Sequence, residues 1–354
     1  MGLLDLIRQA RLYNESLRAN KALAHDDAQT RKRCRDMSLT LALIREAHAR
    51  VKDKIHRTPV LTSATLDAQA HARLFFKCEN FQKGGAFKAR GATNAVFLLS
   101  DEEARHGVAT HSSGNHAAAL ARAAGLRGIP AHIVMPNNAP QAKRAAVARY
   151  GGRIVFCEPT LAARESTCAR LIAKTGATLI HPYDDVPVMA GQGTTALELL
   201  ESLPDLDWLL CPVGGGGQLS GVAVAGKSVK PSIRIVGVEP AGADDAYRSF
   251  KAGHIIPSVN PQTIADGLRS SLGKHTFVEI QRYVDEIVTV SEESIVRAMR
   301  TIWEVMKIII EPSAAVPYAA LLEDKLNIAG QRVGIILSGG NLDLDTLPWM
   351  SAHG

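Results

Sequence analysis

A lysine next to an aromatic residue is the first candidate for covalent chemistry in this sequence. Lys88 lies in ENFQKGGAFKARGATNAV, residues 79–96, directly after Phe87 and two glycines and before a run with helical character. At such a turn, burial and the dipole of the following helix can lower the pKa of an amine and make it nucleophilic. A solvated surface lysine is the ordinary alternative. Lys88 therefore becomes a candidate nucleophile only together with other motifs.

A glycine-rich segment supplies the second motif. In CPVGGGGQLSG an apolar strand runs into Gly214, Gly215, Gly216 and Gly217, and an apparent helix follows. Consecutive N–H groups can converge on an anion where no side chain obstructs them, and a helix N-terminus adds positive potential. The segment has neither the Gly-x-x-x-x-Gly-Lys-Ser/Thr pattern nor the Gly-x-Gly-x-x-Gly fingerprint. It therefore predicts a phosphate site outside the common nucleotide-binding motifs.

Two polar segments add candidate ligand-binding groups. HSSGNH, residues 111–116, is predicted to be a strand-to-helix turn in which Ser112, Ser113 and Asn115 can grip a carboxylate. A simple helix cap is the alternative. In EPAGADD, Glu239 and Asp245 are hard oxygen ligands. With the carbonyl of Ala243 and water they predict a magnesium or calcium site, although acidic loops are commonly just solvated.

Short apolar runs alternate with longer helical patterns along most of the chain. This rhythm predicts an α/β fold with parallel strands joined by helices, and ligands at the carboxyl ends of the strands. The predicted strands are residues 73–79, 107–112, 131–135, 153–157, 177–181, 208–213, 233–240, 286–290 and 332–340. At the N-terminus, apolar residues at helical spacing predict an amphipathic helix over residues 3–19, and a further helix is expected to start near Ser38.

Composition and charge argue against several classes of protein. The 354 residues carry 41 Lys and Arg against 35 Asp and Glu, a net charge of +6, without a basic stripe beyond RKRCR at residues 31–35. This pattern argues against a nucleic-acid binder. No apolar run reaches the roughly 18 residues that a membrane helix needs. Five cysteines without a Cys-x-x-Cys pair indicate reduced thiols, as in a cytoplasmic enzyme.

Eight motifs occur in an order that points to one family. They are FQKGGAFKARGA, SSGNHAAALA, GQGTTALE, VGGGGQLSG, VEPAGADDA, TIADGLRSSLG, IIEPSAAV and ILSGGN. Over about residues 39–345, the chain resembles the fold type II pyridoxal-phosphate-dependent enzymes of the tryptophan synthase β family. Within that family it most resembles the branch of serine racemases and serine/threonine dehydratases.

The resemblance implies an architecture of two domains. Each would be a three-layer α/β/α unit with a mainly parallel sheet, and pyridoxal 5′-phosphate would bind in the cleft between them. Residues 39–105 and 185–345 would form the large domain, and residues 106–184 the small one. Residues 1–38 would be an N-terminal helical extension and residues 346–354 a tail. The resemblance also implies a homodimer.

The resemblance also implies a role for each candidate residue. Lys88 would form the Schiff base, Phe87 would lie beside the ring, and the four glycines would hold the phosphate. Asn115 would contact the 3′ hydroxyl, and Ser338 would face the pyridine nitrogen, where a neutral hydroxyl suits elimination. The substrate-binding residues would be Ser112, Ser113, Asn115, His116 and Arg164, and Ser113 would face Lys88 across the cofactor as a second acid/base group. Glu239, Ala243 and Asp245 would bind Mg²⁺, or else Ca²⁺ or Mn²⁺.

The activity implied is elimination of water from a β-hydroxy amino acid such as L-threonine or L-serine, which gives a 2-oxo acid and ammonia. Serine racemase and 3-hydroxyaspartate ammonia-lyase are the enzymatic alternatives, and an inactive homologue that senses a phosphorylated metabolite is the non-enzymatic one. Relatives commonly have Thr-Gly-Ser before the Phe-Lys pair, whereas this chain has Gly84, Gly85 and Ala86. Substrate identity therefore stays open.

Overall fold

A computed structural model describes residues 38–112 and 114–350 of the protein. The predicted helix over residues 3–19 and the candidate Ser113 lie outside the described residues. The strands are β1 (Val60–Leu61), β2 (Arg73–Cys78), β3 (Val108–Thr110), β4 (Ala131–Pro136), β5 (Arg153–Cys157), β6 (Thr178–Leu179), β7 (Trp208–Pro212), β8 (Arg234–Pro240), β9 (Glu286–Val290) and β10 (Arg332–Leu337). All nine predicted strands are thus present. The sequence pattern missed only the two-residue strand β1 among those described.

Helices occupy most of the connections between strands, as the alternating pattern predicts. They are α1 (Leu41–Val51), α2 (Ala64–Ala70), α3 (Lys88–Phe97), α4 (Asp101–Arg105), α5 (Asn115–Arg127), α6 (Gln141–Arg149), α7 (Leu161–Thr175), α8 (Val186–Ser202), α9 (Gly217–Val229), α10 (Asp245–Ala252), α11 (Lys274–Tyr283), α12 (Glu292–Met306) and α13 (Pro312–Leu322). Helix α1 begins close to the predicted position, and Thr40 caps it by accepting a hydrogen bond from the N–H of Leu43.

The larger sheet has six strands in the order β1-β2-β10-β7-β8-β9. All neighbours are parallel except β1, which runs antiparallel to β2. Side chains alternate between the two faces along each strand, so Leu74 and Phe76 pack on one side and Phe75 on the other. Helices α12 and α13 cover the first face, and helices α1, α8 and α9 cover the second. Burial on both faces explains why these strands are continuously apolar.

The smaller sheet has four parallel strands in the order β5-β4-β3-β6. Residues of α5 pack on one face, and α7 packs on the other through Cys168. The apolar face of α3, which includes Ala92, Ala95 and Val96, joins the first of these cores. The predicted α/β class with mainly parallel sheets is confirmed. The predicted domain boundaries stay a prediction.

A buried ion network holds α3 against the larger sheet; it consists of Arg90, Glu79, Glu198 and Lys77. Arg90 is completely buried and donates to both oxygens of Glu79, at 2.7 and 2.8 Å, and to both oxygens of Glu198, at 2.8 Å each. Lys77 donates to Glu198 at 2.7 Å and to the carbonyl of Thr58 at 2.8 Å. Two cations and two carboxylates balance, so the network carries no net charge.

The described residues bear on two expectations from the sequence, namely the absence of a membrane-spanning helix and the presence of reduced cysteines. None of the helices in residues 38–112 and 114–350 combines the length and the apolar character that a membrane crossing needs. Within the same ranges, Cys78, Cys157, Cys168 and Cys211 are free thiols. The cytoplasmic location and the homodimer stay predictions.

Candidate active site

The candidate residues gather where parallel strands end. Strands β2, β10 and β7 are neighbours in the larger sheet, and their carboxyl ends lead to the turn before Lys88, to Ser338 and to the glycine loop, Gly214–Gly217. In the smaller sheet, β3 leads to His111 and β6 to His181. Carboxyl ends of parallel strands share one edge of a sheet, where open α/β folds bind their ligands. The predicted clustering at strand ends is therefore present.

Lys88 is the first residue of α3, and its amine lies in a sheltered position. The N–H of Phe87 donates to the carbonyl of Ser338 at 3.0 Å, which ties the lysine turn to the end of β10. The Lys88 amine lies 4.9 Å from the centre of the Phe87 ring and donates to the carbonyl of Pro182 at 2.8 Å. Burial lowers the pKa of Lys88 to about 8, although the charge of Glu311 opposes the shift. A substantial fraction of this amine is therefore neutral near physiological pH.

The glycine loop fits an anion such as a phosphate group. Its residues are buried, yet none of the four N–H groups of Gly214–Gly217 has an acceptor among the described residues. Unpaired buried N–H groups are costly, so such a cluster indicates a ligand that accepts from them. A Cβ at Gly215 would lie 2.5 Å from the Tyr183 ring, and Gly216 has a φ of +87°. Side chains are thus excluded from the loop, and helix α9 begins directly behind it.

The segment 181–185 lies between the lysine and the glycine loop. Pro182 accepts from Lys88, while the next residue, Tyr183, packs its ring against Gly215 and its Cβ and main chain against Gly217. The amine and the loop, 126 residues apart between Lys88 and Gly214, therefore contact adjacent residues of one short segment. This places both within one cleft.

Glu311 is a buried carboxylate in this cleft to which sequence reasoning gave no role. Only 4% of it is exposed, and its two oxygens accept from the side-chain amide of Asn115 at 2.9 and 3.1 Å. The backbone N–H of Asn341 also donates to it, at 3.1 Å, and the Asn341 side chain donates to Asn115 at 3.0 Å. Burial raises the pKa of Glu311 to about 7. The carboxylate fixes which way the Asn115 amide points.

The structure describes most but not all of the polar turn at residues 111–116. The Ser112 hydroxyl accepts from the N–H of Gly114 at 3.4 Å, and Ser113 lies outside the described residues. His116 is buried, and its Nε2 is 3.2 Å from the carbonyl of Ile180. Because a carbonyl only accepts, Nε2 must carry the proton. Burial, and then the charge of Lys88, place the pKa of His116 well below its ordinary value, so the ring is neutral.

An aromatic row, formed by His111, His181 and Tyr183, lines the same region. The ring centres are 5.6 Å apart for the two histidines and 4.6 Å apart for His181 and Tyr183. His181 accepts the N–H of Asp184 through Nδ1 at 2.8 Å, and burial lowers its pKa to about 4. It is therefore a neutral ring with an Nε2–H donor. Arg164, on α7, is near enough for its charge to oppose the burial that raises the pKa of Tyr183 to about 12.

The acidic loop is separate from the lysine. Glu239 accepts from the N–H groups of Ala246 and Tyr247 at 3.0 and 2.9 Å. Asp245 is also buried, and burial raises its pKa to about 6, although hydrogen bonding to Ser258 opposes the shift. Burial, and then repulsion by Asp245, raise the pKa of Glu239 to about 9. Two close, poorly compensated carboxylates favour a cation. However, within the described ranges no cluster of three or more His, Cys, Asp and Glu side chains can hold a metal ion.

The structure thus brings one set of predicted residues together and leaves another apart. Lys88, Phe87, Ser338, Asn115 and the glycine loop share the cleft. No contact among the described residues joins Glu239, Ala243 or Asp245 to Lys88. Sequence reasoning gave no role to Glu311, His181 or Tyr183. For Glu311 a signal existed, because a lone acid inside the apolar run IIIEPSAAV must find partners when it is buried.

Comparisons with known proteins agree with the geometry. A family model described as pyridoxal-phosphate dependent enzyme matches residues 51–339. A β-hydroxyaspartate dehydratase of Paracoccus denitrificans (strain Pd 1222) is 54% identical over 303 residues, which cover 86% of this chain and 96% of that protein. A serine racemase of Arabidopsis thaliana is 51% identical and covers 86% of this chain and 93% of its own. The solved structure of maize serine racemase matches with a TM-score of 0.86 and 49% identity, over 88% of this chain and 96% of that one. The chain therefore belongs to the fold type II family of pyridoxal-phosphate-dependent enzymes, in the branch of serine racemases and dehydratases.

Proposed function

We propose that this enzyme removes water from a β-hydroxy amino acid, releasing a 2-oxo acid and ammonia, and that its preferred substrate is 3-hydroxyaspartate. The observation that carries the use of pyridoxal phosphate in this reaction is the shared segment 181–185. Through it, the amine of Lys88 and the unpaired N–H groups of the glycine loop open onto one cleft. A ligand with an aldehyde at one end and a phosphate at the other suits this pair.

The residues present fit pyridoxal phosphate. Gly214–Gly217 would hold its phosphate, Lys88 its aldehyde carbon, Asn115 its 3′ hydroxyl and Ser338 its pyridine nitrogen, with Phe87 beside the ring. When bound, this cofactor draws electrons away from the α-carbon of an amino acid. The protein then has to supply proton transfer, orientation and shelter from water.

Lys88 is suited to accept the α-proton of the substrate. With a pKa of about 8, its amine is a base in the range where general acid–base catalysis is efficient. Glu311 accepts from the Asn115 amide through both of its oxygens, and no salt bridge joins it to a Lys, Arg or His side chain among the described residues. A protonated Glu311 would leave the cleft less negative for an anionic substrate, so we expect activity to depend on its ionisation.

The aromatic row and Arg164 support the choice of substrate. 3-Hydroxyaspartate differs from serine and threonine by a second carboxylate, which needs hydrogen-bond donors or a cation. His181 offers a neutral Nε2–H, and Arg164 is a guanidinium within electrostatic range of Tyr183. Ser112 and His116 would contribute further to substrate binding. The 54% identical dehydratase of Paracoccus denitrificans acts, by its name, on β-hydroxyaspartate.

The test is a substrate panel. The purified enzyme, supplied with pyridoxal phosphate, is assayed for keto acid and ammonia with L-serine, D-serine, L-threonine and the hydroxyaspartate diastereomers. We expect kcat/KM to be highest for one hydroxyaspartate diastereomer. Arg164→Met should lower that value about tenfold or more, through KM, while changing it less than about twofold for L-serine. Equal losses for both substrates would remove Arg164 as the group that recognises the second carboxylate.

Serine racemisation is a second candidate, because the serine racemase of Arabidopsis thaliana is 51% identical to this chain. Racemisation needs a proton donor on the face of the substrate opposite Lys88. Ser113 is the proposed donor. If it acts in this way, Ser113→Ala should abolish formation of D-serine from L-serine and largely preserve water elimination.

A divalent cation at the acidic loop is proposed as a structural or activating ligand. Glu239, Asp245 and the carbonyl of Ala243 would bind it, with water completing the coordination. EDTA should lower the melting temperature, and Mg²⁺ should restore it. Glu239→Gln should remove this response, whereas Asp244→Asn, a change at the neighbouring and more exposed carboxylate, should retain it.

A further inference from the structure

Helix α11 is capped by a residue from a distant part of the chain. Its own N-cap position is Gly273, which has no side chain to accept a hydrogen bond. Instead, the carboxylate of Asp184 accepts from the N–H groups of Lys274 at 3.1 Å, His275 at 2.8 Å and Thr276 at 3.2 Å. A Cβ at Gly273 would collide with this carboxylate. The glycine therefore makes room for a cap that lies 89 residues earlier in the sequence.

The first turn of α11, which Asp184 caps, in turn holds the glycine loop. The Thr276 hydroxyl donates to the carbonyl of Gly215 at 2.8 Å, and the N–H of Gly273 approaches the same oxygen at 3.4 Å. In a planar trans peptide, the carbonyl and the following N–H point in opposite directions. Because the Gly215 carbonyl points towards α11, the N–H of Gly216 is directed away from α11. The first turn of α11 thus sets the direction of one donor in the glycine loop.

The segment that carries Asp184 also holds the lysine. Two residues before Asp184, the carbonyl of Pro182 accepts from the Lys88 amine at 2.8 Å. The N–H of Asp184 donates to Nδ1 of His181 at 2.8 Å, which closes a tight turn around Pro182 and Tyr183. Asp184 is therefore connected to the lysine through its main chain and to the glycine loop through its side chain.

We infer that Asp184 is a positioning residue, which sets the peptide between Gly215 and Gly216 at a fixed place relative to the Lys88 amine. This inference rests on the proposed function, since the spacing between the glycine loop and the Lys88 amine matters only for a ligand that contacts both. A ligand that binds two sites at once gains from their correct spacing, whereas a ligand that binds one site does not. Replacing Asp184 should consequently weaken the binding of pyridoxal phosphate, and it should weaken the binding of pyridoxal or of inorganic phosphate much less.

The test compares three probes on the full-length protein. The dissociation constant of pyridoxal phosphate is measured by dialysis of the holoenzyme, and those of pyridoxal and inorganic phosphate by titration of the cofactor-depleted protein. In Asp184→Asn, which keeps the shape but loses the charge and replaces one of the two accepting oxygens with an N–H donor, we expect pyridoxal phosphate to bind about fivefold or more weakly, as for loss of a hydrogen bond to a charged group. Pyridoxal and phosphate should each change by less than about twofold.

A second pair of variants keeps the test decisive if Asp184→Asn folds poorly. Thr276→Val removes the hydroxyl that holds Gly215, and Thr276→Ser retains it. We expect the first to reproduce the selective loss and the second to bind pyridoxal phosphate like the wild type. Asp101→Asn, which changes an exposed aspartate in the first turn of α4, is the matched control and should bind all three probes normally.

The outcomes separate the inference from the function on which it rests. If the wild type forms no Schiff base at Lys88 with pyridoxal phosphate, the proposed function fails, and the inference fails with it. If the wild type binds normally and the variants bind equally well, only the inference is overturned. It is also overturned if inorganic phosphate or pyridoxal weakens as much as pyridoxal phosphate, because Asp184 would then support one end of the site rather than their spacing.

Discussion

Helix α3 carries two cations, two residues apart, in opposite electrostatic environments. Lys88 donates to one main-chain carbonyl, it has no carboxylate in hydrogen-bonding contact within the part of the chain that the structure describes, and burial lowers its pKa to about 8. Burial alone would lower the pKa of Arg90 too, but Glu79 and Glu198 together raise it above its ordinary value. Two residues along an α-helix correspond to a rotation of about 200°, so the two side chains leave the helix on opposite faces. One face meets Glu79 and Glu198, and the other meets the carbonyl of Pro182.

The difference separates a group that can react from a group that stabilises. A fully paired guanidinium cannot give up its proton, and removing it leaves two carboxylates without their main partner. A poorly compensated amine costs stability in the charged form, but it can act as a base or nucleophile near neutral pH. The buried ion network thus fixes the helix on one side so that its first residue can remain uncompensated on the other.

The largest expected effect is loss of activity in Lys88→Met. Keto-acid release should fall by about 10³-fold or more, because the proposed base and Schiff-base partner are lost together. The free energy of unfolding of the cofactor-free protein should stay equal or rise, by up to about 3 kcal/mol at pH 7. The folded-state pKa of Lys88 is depressed, so this gain should be full below pH 8 and vanish as the pH rises towards 10.5. Denaturant unfolding measures it, and a clear loss of stability would mean that Lys88 is also a structural cation.

The second prediction is that Arg90→Met, unlike Lys88→Met, lowers the free energy of unfolding. Removing one partner from a buried ion pair typically costs about 3–5 kcal/mol, and we expect a destabilisation of that size. Arg300→Met is the matched control, because Arg300 pairs with Glu304 on the surface, where such pairs contribute less than about 1 kcal/mol. Urea unfolding of the cofactor-free variants gives both values. Similar losses at the two positions would contradict a stabilising role for the buried network.

The sequence predicts the reactive side of this comparison better than the stabilising side. Lys88 and the glycine loop carry local signals, namely glycines at a strand end and a lysine at a turn. All nine predicted strands are present because burial on two faces leaves a continuous apolar pattern. The ion network joins Lys77, Glu79, Arg90 and Glu198, and no spacing in the sequence indicates that these four residues meet. The role of Asp184 as a cap for α11 is equally non-local, as it depends on how the segment 181–185 crosses the cleft.

The third prediction concerns Glu311, the carboxylate on the uncompensated side. Burial raises its pKa from an ordinary 4.5 to about 7, so the folded state holds a proton that the unfolded state has released. The wild type should therefore lose stability as the pH rises from 4.5 to 7, by up to about 3 kcal/mol relative to Glu311→Gln. The variant also differs from the wild type by a constant amount, because Gln accepts fewer hydrogen bonds than a carboxylate. The diagnostic quantity is thus the slope of the unfolding free energy with pH, and identical slopes would exclude this shift.

The smallest effect is expected for Lys77→Met, and its sign depends on Glu198. In the wild type, the change leaves the Thr58 carbonyl without its donor while Glu198 keeps Arg90, so the cost should be about 1–3 kcal/mol. In a Glu198→Gln background, Lys77 is a buried cation without its carboxylate, and replacing it should cost little or stabilise the protein. A double-mutant cycle by urea unfolding measures this coupling. If Lys77→Met costs the same in both backgrounds, Lys77 acts through Thr58 alone, and charge balance does not explain how the helix is held behind Lys88.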